Sequence, residues 1–271
     1  GRVVAVGEGA PACGIAGPSG SSREWRPGDR VMALLAGGGH ATRVAVPAAQ
    51  LMALPEGLSF VSGAALPEAG LTGWTNLVVE GGLKAGETVL VTGATGGMGS
   101  FAVQLARELG ARVIAAARNQ ERLSRLRDFG IEDLVLEGEG LADEVRQKTG
   151  GRGVDLVFDL TSSQHLGQHL AALRDGGRLV VVGLAGPPKV EVDLGAFLRR
   201  RLGLIGSVLR ARSRAEKAQL VEGFAGFALP RLADGRLLPV VERVVPFEQA
   251  VQAYGLLAAG GAFGKIVLEM S

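Results

Sequence analysis

The residues best suited to chemistry lie between Glu87 and Gly110, in the stretch ETVLVTGATGGMGSFAVQLARELG. Its glycines follow the pattern Ala94-x-Gly96-x-x-Gly99, with Gly93 immediately before. At this spacing Gly96 lets a backbone approach a pyrophosphate, and Gly99 lets a helix pack tightly on a strand. The helix start then offers N–H groups and the positive end of its dipole to the phosphates. In a chain with 43 glycines the same pattern can be a packing turn without a ligand.

Context separates the two. Thr88-Val89-Leu90-Val91, just before the glycines, is a short β-branched apolar run of the kind found in buried parallel strands. After them Phe101, Ala102, Leu105, Ala106 and Leu109 recur at helical spacing, and Gly110 stands where a left-handed C-terminal residue belongs. A second strand (112–117) and a second helix (119–129) complete a βαβ unit of dinucleotide-binding length.

The end of that second strand chooses the nucleotide. Chains that prefer NAD place Asp or Glu there, to accept hydrogen bonds from the ribose 2′-hydroxyl. Here the position reads Ala116-Ala117-Arg118-Asn119, without a carboxylate. Arg118 and Arg122 instead offer guanidinium forks suited to a 2′-phosphate, which points to NADPH over NADH. The plain alternative is that both arginines are solvated charges at a helix start.

These residues need a frame, and the rest of the chain supplies one. Strands at 134–136, 154–159, 178–183 and 202–208 alternate with helices at 141–148 and 164–173. Continuous apolar runs such as Leu179-Val180-Val181-Val182 fit strands covered on both faces. Six such strands make an α/β fold with a doubly wound parallel sheet and a ligand beyond the strand C-termini, where Leu160, Thr161, Gly183 and Leu184 fall. The first 63 residues read instead as short strands (2–6, 30–34, 41–46, 51–53) broken by Gly and Pro, with a Gly/Pro/Ser-rich surface loop at 9–28. Pro67-Glu68 opens a helix running to about residue 79. A helix at 214–234, then strands at 238–245 and 265–268 flanking a helix at 247–259, return the chain to the β-rich style of its start. The two ends are expected to pack as one discontinuous domain.

Composition narrows the function. Of 271 residues 47% are hydrophobic and 21% charged, with a formal net charge of +2, an ordinary globular balance that gives no argument for nucleic acid. Arg199-Arg200-Arg201, the densest basic cluster, reads as a solvated helix end. One cysteine, Cys13, excludes an internal disulfide and a four-cysteine zinc lobe, so a reducing, cytoplasmic setting is expected. No apolar run of about 18 residues suggests a membrane span, and no signal peptide is visible. Because Gly1 to Val6 is strand-like from its first residues, a preceding N-terminal segment is expected.

Taken together, Val6-Gly7-Glu8-Gly9, Pro27-Gly28-Asp29-Arg30-Val31, Leu66-Pro67-Glu68 with Leu71-Thr72, Leu83-Lys84-Ala85-Gly86-Glu87, the glycine stretch 93–99 and Phe263-Gly264-Lys265-Ile266-Val267-Leu268 resemble the medium-chain dehydrogenase/reductases. Within them the chain is most similar to the zinc-free quinone oxidoreductase, or zeta-crystallin-like, branch. The resemblance covers nearly the whole chain. It implies a six-stranded Rossmann sheet (74–213) and a GroES-like substrate domain (1–73 and 214–271) incomplete at its N-terminus, with nicotinamide and substrate between them. It also implies hydride transfer from NADPH to a quinone or an α,β-unsaturated carbonyl compound, and a homodimer through strand 202–208.

Carried over by residue, the resemblance places Thr72 and Trp74 near the nicotinamide and Gly96, Gly97 and Met98 on the pyrophosphate. Arg118 and Arg122 fall on the 2′-phosphate, Leu160 and Gly183 along the nucleotide, and Phe263 and Lys265 closing over it. No residue is identified as the proton donor, and the family's early polar active-site segment precedes the first residue here. Two alternatives stay open: a zinc-type alcohol dehydrogenase of the same superfamily, with Glu68 as one ligand, and a nucleotide-binding protein without turnover. No metal is expected, and His40, His165 and His169 read as incidental, the last two as an i, i+4 pair on a polar helix.

Overall fold

The computed structural model describes residues 1–9, 24–161, 165–184 and 186–270. It divides into two compact units, Gly1–Thr72 with Leu209–Ser271, and Gly73–Val208.

The first unit begins with β1 (Val31–Ala33) and β2 (Leu51–Ala53), paired antiparallel with Met32 opposite Met52. Helix α1 (Phe60–Ala64) is started by Ser59, whose hydroxyl accepts the N–H of Ser62 at 3.0 Å. Helix α2 (Leu66–Trp74) follows and runs into a π-helical turn, Thr75–Glu80.

The second unit is the alternating part. Its elements are β3 (Thr88–Val91), α3 (Gly99–Glu108), β4 (Arg112–Ala117), α4 (Gln120–Ser124), β5 (Asp133–Leu136), α5 (Leu141–Lys148), β6 (Val154–Asp159), α6 (Leu166–Ala172), β7 (Leu173–Val181), α7 (Leu194–Arg200) and β8 (Gly203–Gly206). The strands form one parallel sheet in the order β5-β4-β3-β6-β7-β8. Because the chain starts at β3 and fills the sheet first to one side and then to the other, the loops after β3 and β6 diverge and leave a crevice at the strand C-termini. All residues of β3 and β6 are buried, as their apolar runs require. On one face Leu90, Ile114, Val135, Val145, Val157 and Leu179 form the core, each contributing about 1.5–3 kcal/mol by leaving water.

Ion pairs pin the opposite edge of the sheet. Buried Asp155 accepts the Thr88 N–H at 2.8 Å and pairs with Arg174 and Arg152. Arg178 pairs with Glu87 at 2.6 Å and donates to the carbonyl of Gly82 at 3.0 Å. The N-terminal edge is thus committed to stability, which leaves the C-terminal edge for a ligand.

The first unit is completed by α8 (Arg214–Ala233), β9 (Val241–Pro246), α9 (Ala250–Ala259) and β10 (Lys265–Glu269). A capping box of Ser213 and Glu216 starts α8. Strands β9 and β10 run parallel. Helix α2 meets α8 at Gly70, where an added Cβ would lie 2.2 Å from the ring of fully buried Phe224. Among the described residues no helix is long and apolar enough to cross a membrane.

Two expected strands are absent. Residues 2–6 contribute one isolated bridge, Arg2 with Arg30, and 41–46 form no strand. Val4 and Val44 are 64% and 47% exposed: β-branched residues make a strand only where a ladder partner and a face to bury exist. The strand expected at 178–183 starts earlier, at Leu173, because Leu173 pairs with Val154 ahead of a bulge. The strand expected at 202–208 shortens to four residues, and helix 164–173 to seven. Cys13 and most of the 9–28 loop lie outside the described residues.

Candidate functional site

The turn between β3 and α3 is shaped by its glycines. Gly93 has a φ of 58°, a left-handed value. The N–H of Ala94 then bonds the carbonyl of Ala116 at the end of β4, at 2.9 Å, which ties the turn to the neighbouring strand. Gly99 packs directly beneath: a Cβ there would lie 2.3 Å from the Gly93 carbonyl oxygen and 2.6 Å from the Ala94 Cα, so only glycine fits. Gly96 differs. Among the described residues a Cβ there would meet only the Gly93 oxygen, at 3.4 Å, which leaves its outer side open to them. An open glycine above a closed one, at the start of a ten-residue helix, is a cradle that fits a pyrophosphate.

At the end of β4, Arg118 is exposed and Arg122 half-buried. Between them Asn119 caps α4, its side chain accepting the Arg122 N–H at 2.8 Å. The backbone N–H of Glu137, just past β5, bonds the Ala117 carbonyl at 3.0 Å, so a carboxylate does stand one strand away. Its side chain is engaged elsewhere. It accepts the Thr161 hydroxyl, lies 3.4 Å from Nε2 of His169, and is 2% exposed.

At the end of β6 the Leu160 N–H donates to Oγ1 of Thr92 at 2.9 Å, and a Cβ on Gly183 would lie 2.8 Å from the Leu160 oxygen. Leu160 and Gly183, expected along the nucleotide, are therefore packed on each other at adjacent strand ends.

His169, on α6, proves not to lie on a polar helix face. It is fully buried, with Nδ1 3.0 Å from Oδ2 of Asp159. Burial opposes its charged form, but the hydrogen bond to Asp159 and the ion pair with Glu137 outweigh that, and its pKa is pushed up to about 9. Burial likewise favours the neutral acid of Glu137, yet His169, the Thr161 hydroxyl and the Gly93 N–H hold its carboxyl below the usual range. The missed signal was the strand Val-Asp-Leu-Val-Phe-Asp: two acids inside a fully buried strand each demand a partner.

In the first unit, Thr72 is buried and its hydroxyl donates to Glu68 Oε1 one turn away, at 3.4 Å. Trp74 ends the same helix, within the second unit, and is half-buried. Phe263 is buried and Lys265 half-buried; burial lowers the Lys265 ammonium pKa, opposed by the charge of Glu68. A cavity of about 80 Å³ in this unit is walled by Leu34, Leu71 and Leu220, with Gln50, Glu68, Arg210 and Lys217 as its polar lining. Among the described residues no group of three His, Cys, Asp or Glu side chains is arranged to hold a metal ion. His40 stands 3.3 Å from the Tyr254 hydroxyl.

Comparison with known proteins places this arrangement. Residues 97–225 match the family described as zinc-binding dehydrogenase. The quinone oxidoreductase of Sus scrofa is 30% identical over 248 residues, covering 90% of this chain and 73% of that protein. The quinone oxidoreductase of Thermus thermophilus, whose structure is known also in complex with NADPH, is 36% identical with a TM-score of 0.78, covering 90% of this chain and 80% of that one. The enoyl reductase JamJ, in its apo form, is 25% identical with a TM-score of 0.82, covering 100% and 77%. Of three other solved chains of this fold, the present chain spans 60% to 66%. The chain belongs to the medium-chain dehydrogenase/reductase oxidoreductases, in their quinone oxidoreductase branch.

Proposed function

We propose that this chain is an NADPH-dependent reductase that delivers hydride to a quinone or an α,β-unsaturated carbonyl compound. The observation that carries the reading is the open glycine cradle at Gly96, with Arg118 and Arg122 following β4 and the carboxylate after β5, Glu137, already engaged. The backbone of Gly96, Gly97 and Met98 would hold the pyrophosphate, and Arg118 and Arg122 the 2′-phosphate. Leu160 and Gly183 would line the nucleotide. By family likeness Thr72 and Trp74 are assigned to the nicotinamide, and Phe263 and Lys265 to closing over the nucleotide. When bound, NADPH supplies the hydride. The apolar walls of the cavity beside Gln50 and Arg210 suit a small conjugated ring or chain whose carbonyl oxygen needs a donor. With NADPH and a panel of quinones and enals, absorbance of the reduced nicotinamide should fall in step with the acceptor. NADPH that binds and is never oxidised would reduce the protein to a nucleotide binder.

We further propose a homodimer built on β8. That strand is the sheet's edge, and Leu204 on it is 47% exposed. Pairing β8 with its copy across a two-fold axis would cover that edge and continue the sheet. Light scattering should give twice the chain mass, and Leu204→Pro, which removes a ladder donor, should give monomer or precipitate; a monomer of the unmodified chain at micromolar concentration would contradict the dimer.

A further inference from the structure

Behind the glycine turn, Glu137, Asp159 and His169 are packed together with side-chain exposures of 2%, 0% and 0%. Hydride transfer does not call for them, and burying three ionisable groups is costly unless each is paired. What they touch is the turn itself. Glu137 accepts the Thr161 hydroxyl. Asp159 accepts the Thr92 hydroxyl at 3.0 Å and the Thr161 N–H at 3.1 Å. Gly93 rests against this second loop, since a Cβ there would lie 3.2 Å from Thr161 Cγ2 and 3.4 Å from Leu160 Cβ. The two loops that meet at the crevice are therefore held by two carboxylates, and the imidazole stands between these, bonded to Asp159 through Nδ1 and facing Glu137 at 3.4 Å through an Nε2 that makes no hydrogen bond among the described residues.

We propose that His169 is a positioning residue for the cofactor: as the imidazolium between Asp159 and Glu137 it fixes the Gly93 turn and the Leu160–Thr161 loop in the shape that receives the pyrophosphate. The proposal rests on the reading of this turn as the NADPH site. With His169 protonated the trio carries one net negative charge; with it neutral, two uncompensated carboxylates lie beneath a position meant for an anion. Facing the ring are Asp159 from β6, Glu137 after β5 and His165 on its own helix, the two imidazole centroids 6.5 Å apart. Arg146 of α5 and Arg200 of α7 reach α6 at the carbonyls of Ala171 and Leu170. A histidine pKa raised on folding contributes fully below the unfolded value near 6.5, and its contribution is lost as pH rises through about 9. Cofactor affinity, set by the folded chain alone, should hold below about 9 and fall as pH rises above it. Because the pyrophosphate is common to both dinucleotides, NADPH and NADH should be affected alike.

Calorimetric titration of the unmodified chain and of His169→Gln at pH 7 and pH 10 tests this. The unmodified chain should bind both dinucleotides about fivefold more weakly at pH 10, most of the tenfold that a shift of about one pKa unit allows. His169→Gln should already be about tenfold weaker at pH 7 and should show no further step. Equal affinity of the unmodified chain at both pH values would overturn the proposal. So would a His169→Gln variant with full affinity at pH 7, or one that keeps the step, which would assign it to another group such as Lys265. Should the variant not fold, NMR titration of the histidine rings of the unmodified chain, which has three, replaces it. By reciprocity, saturating NADPH should raise the His169 pKa by about one unit, and an unchanged pKa would refute the role. An unmodified chain that binds neither dinucleotide at pH 7 would instead overturn the functional reading beneath the proposal.

Discussion

Gly96→Ala and Gly99→Ala should both lose NADPH binding, but only the second should lose stability. At Gly99 the added methyl would stand 2.3 Å from a carbonyl oxygen and 2.6 Å from a backbone Cα, neither of which can swing aside as a side-chain tip would. Opening the turn to admit it should cost about 3 kcal/mol, and so about 6–12 °C in melting temperature for a protein of this size. At Gly96 the only neighbour among the described residues is 3.4 Å away, an ordinary contact. Stability there should stay within about 0.5 kcal/mol of the parent. The methyl would instead occupy the space through which the backbone approaches a phosphate, and losing one or two charged hydrogen bonds at about 1.5–3 kcal/mol each weakens NADPH at least tenfold. Thermal melts and calorimetry on the two variants separate these effects. A Gly96→Ala protein that binds NADPH normally would mean that the turn only packs.

The second large effect is on the choice between dinucleotides. Arg118 and Arg122 lie on either side of the Asn119 cap at the end of β4, one exposed and one half-buried, so removing their side chains opens no cavity in the core. Each charge-assisted bond to a 2′-phosphate is worth about 1.5–3 kcal/mol, so Arg118→Ala with Arg122→Ala should weaken NADPH about a hundredfold or more. NADH, without that phosphate, should bind within about twofold of its original affinity, a difference under 0.5 kcal/mol. If both dinucleotides weakened together, the arginines would be holding the fold or the adenine end rather than the 2′-phosphate.

The parallel sheet was legible from sequence because its elements carry strong, short-range periods. Strand Arg112–Ala117, helix Leu141–Lys148 and strand Val154–Asp159 fall on the residues that periodicity and flanking glycines predict. The glycine turn was legible too, since Gly96 and Gly99 act through backbone geometry that spacing encodes. The β-rich ends were less so. Val4, Val6 and Val44 look strand-forming, yet without a ladder partner among the described residues they remain exposed coil. The buried trio was not legible at all, because Glu137, Asp159 and His169 are brought together by the strand order that puts the ends of β5 and β6 on either side of the turn. Nothing local links them. Only the demand that acids in a buried strand find partners hinted at a cation nearby.

On this reading the crevice above β3 receives NADPH, which serves as the reductant. Titration of the unmodified chain with NADPH and with NADH under one set of conditions decides whether it does. NADPH should bind at least about tenfold more tightly, a difference of about 1.4 kcal/mol; NADH binding tenfold more tightly than NADPH, or neither binding, would contradict it.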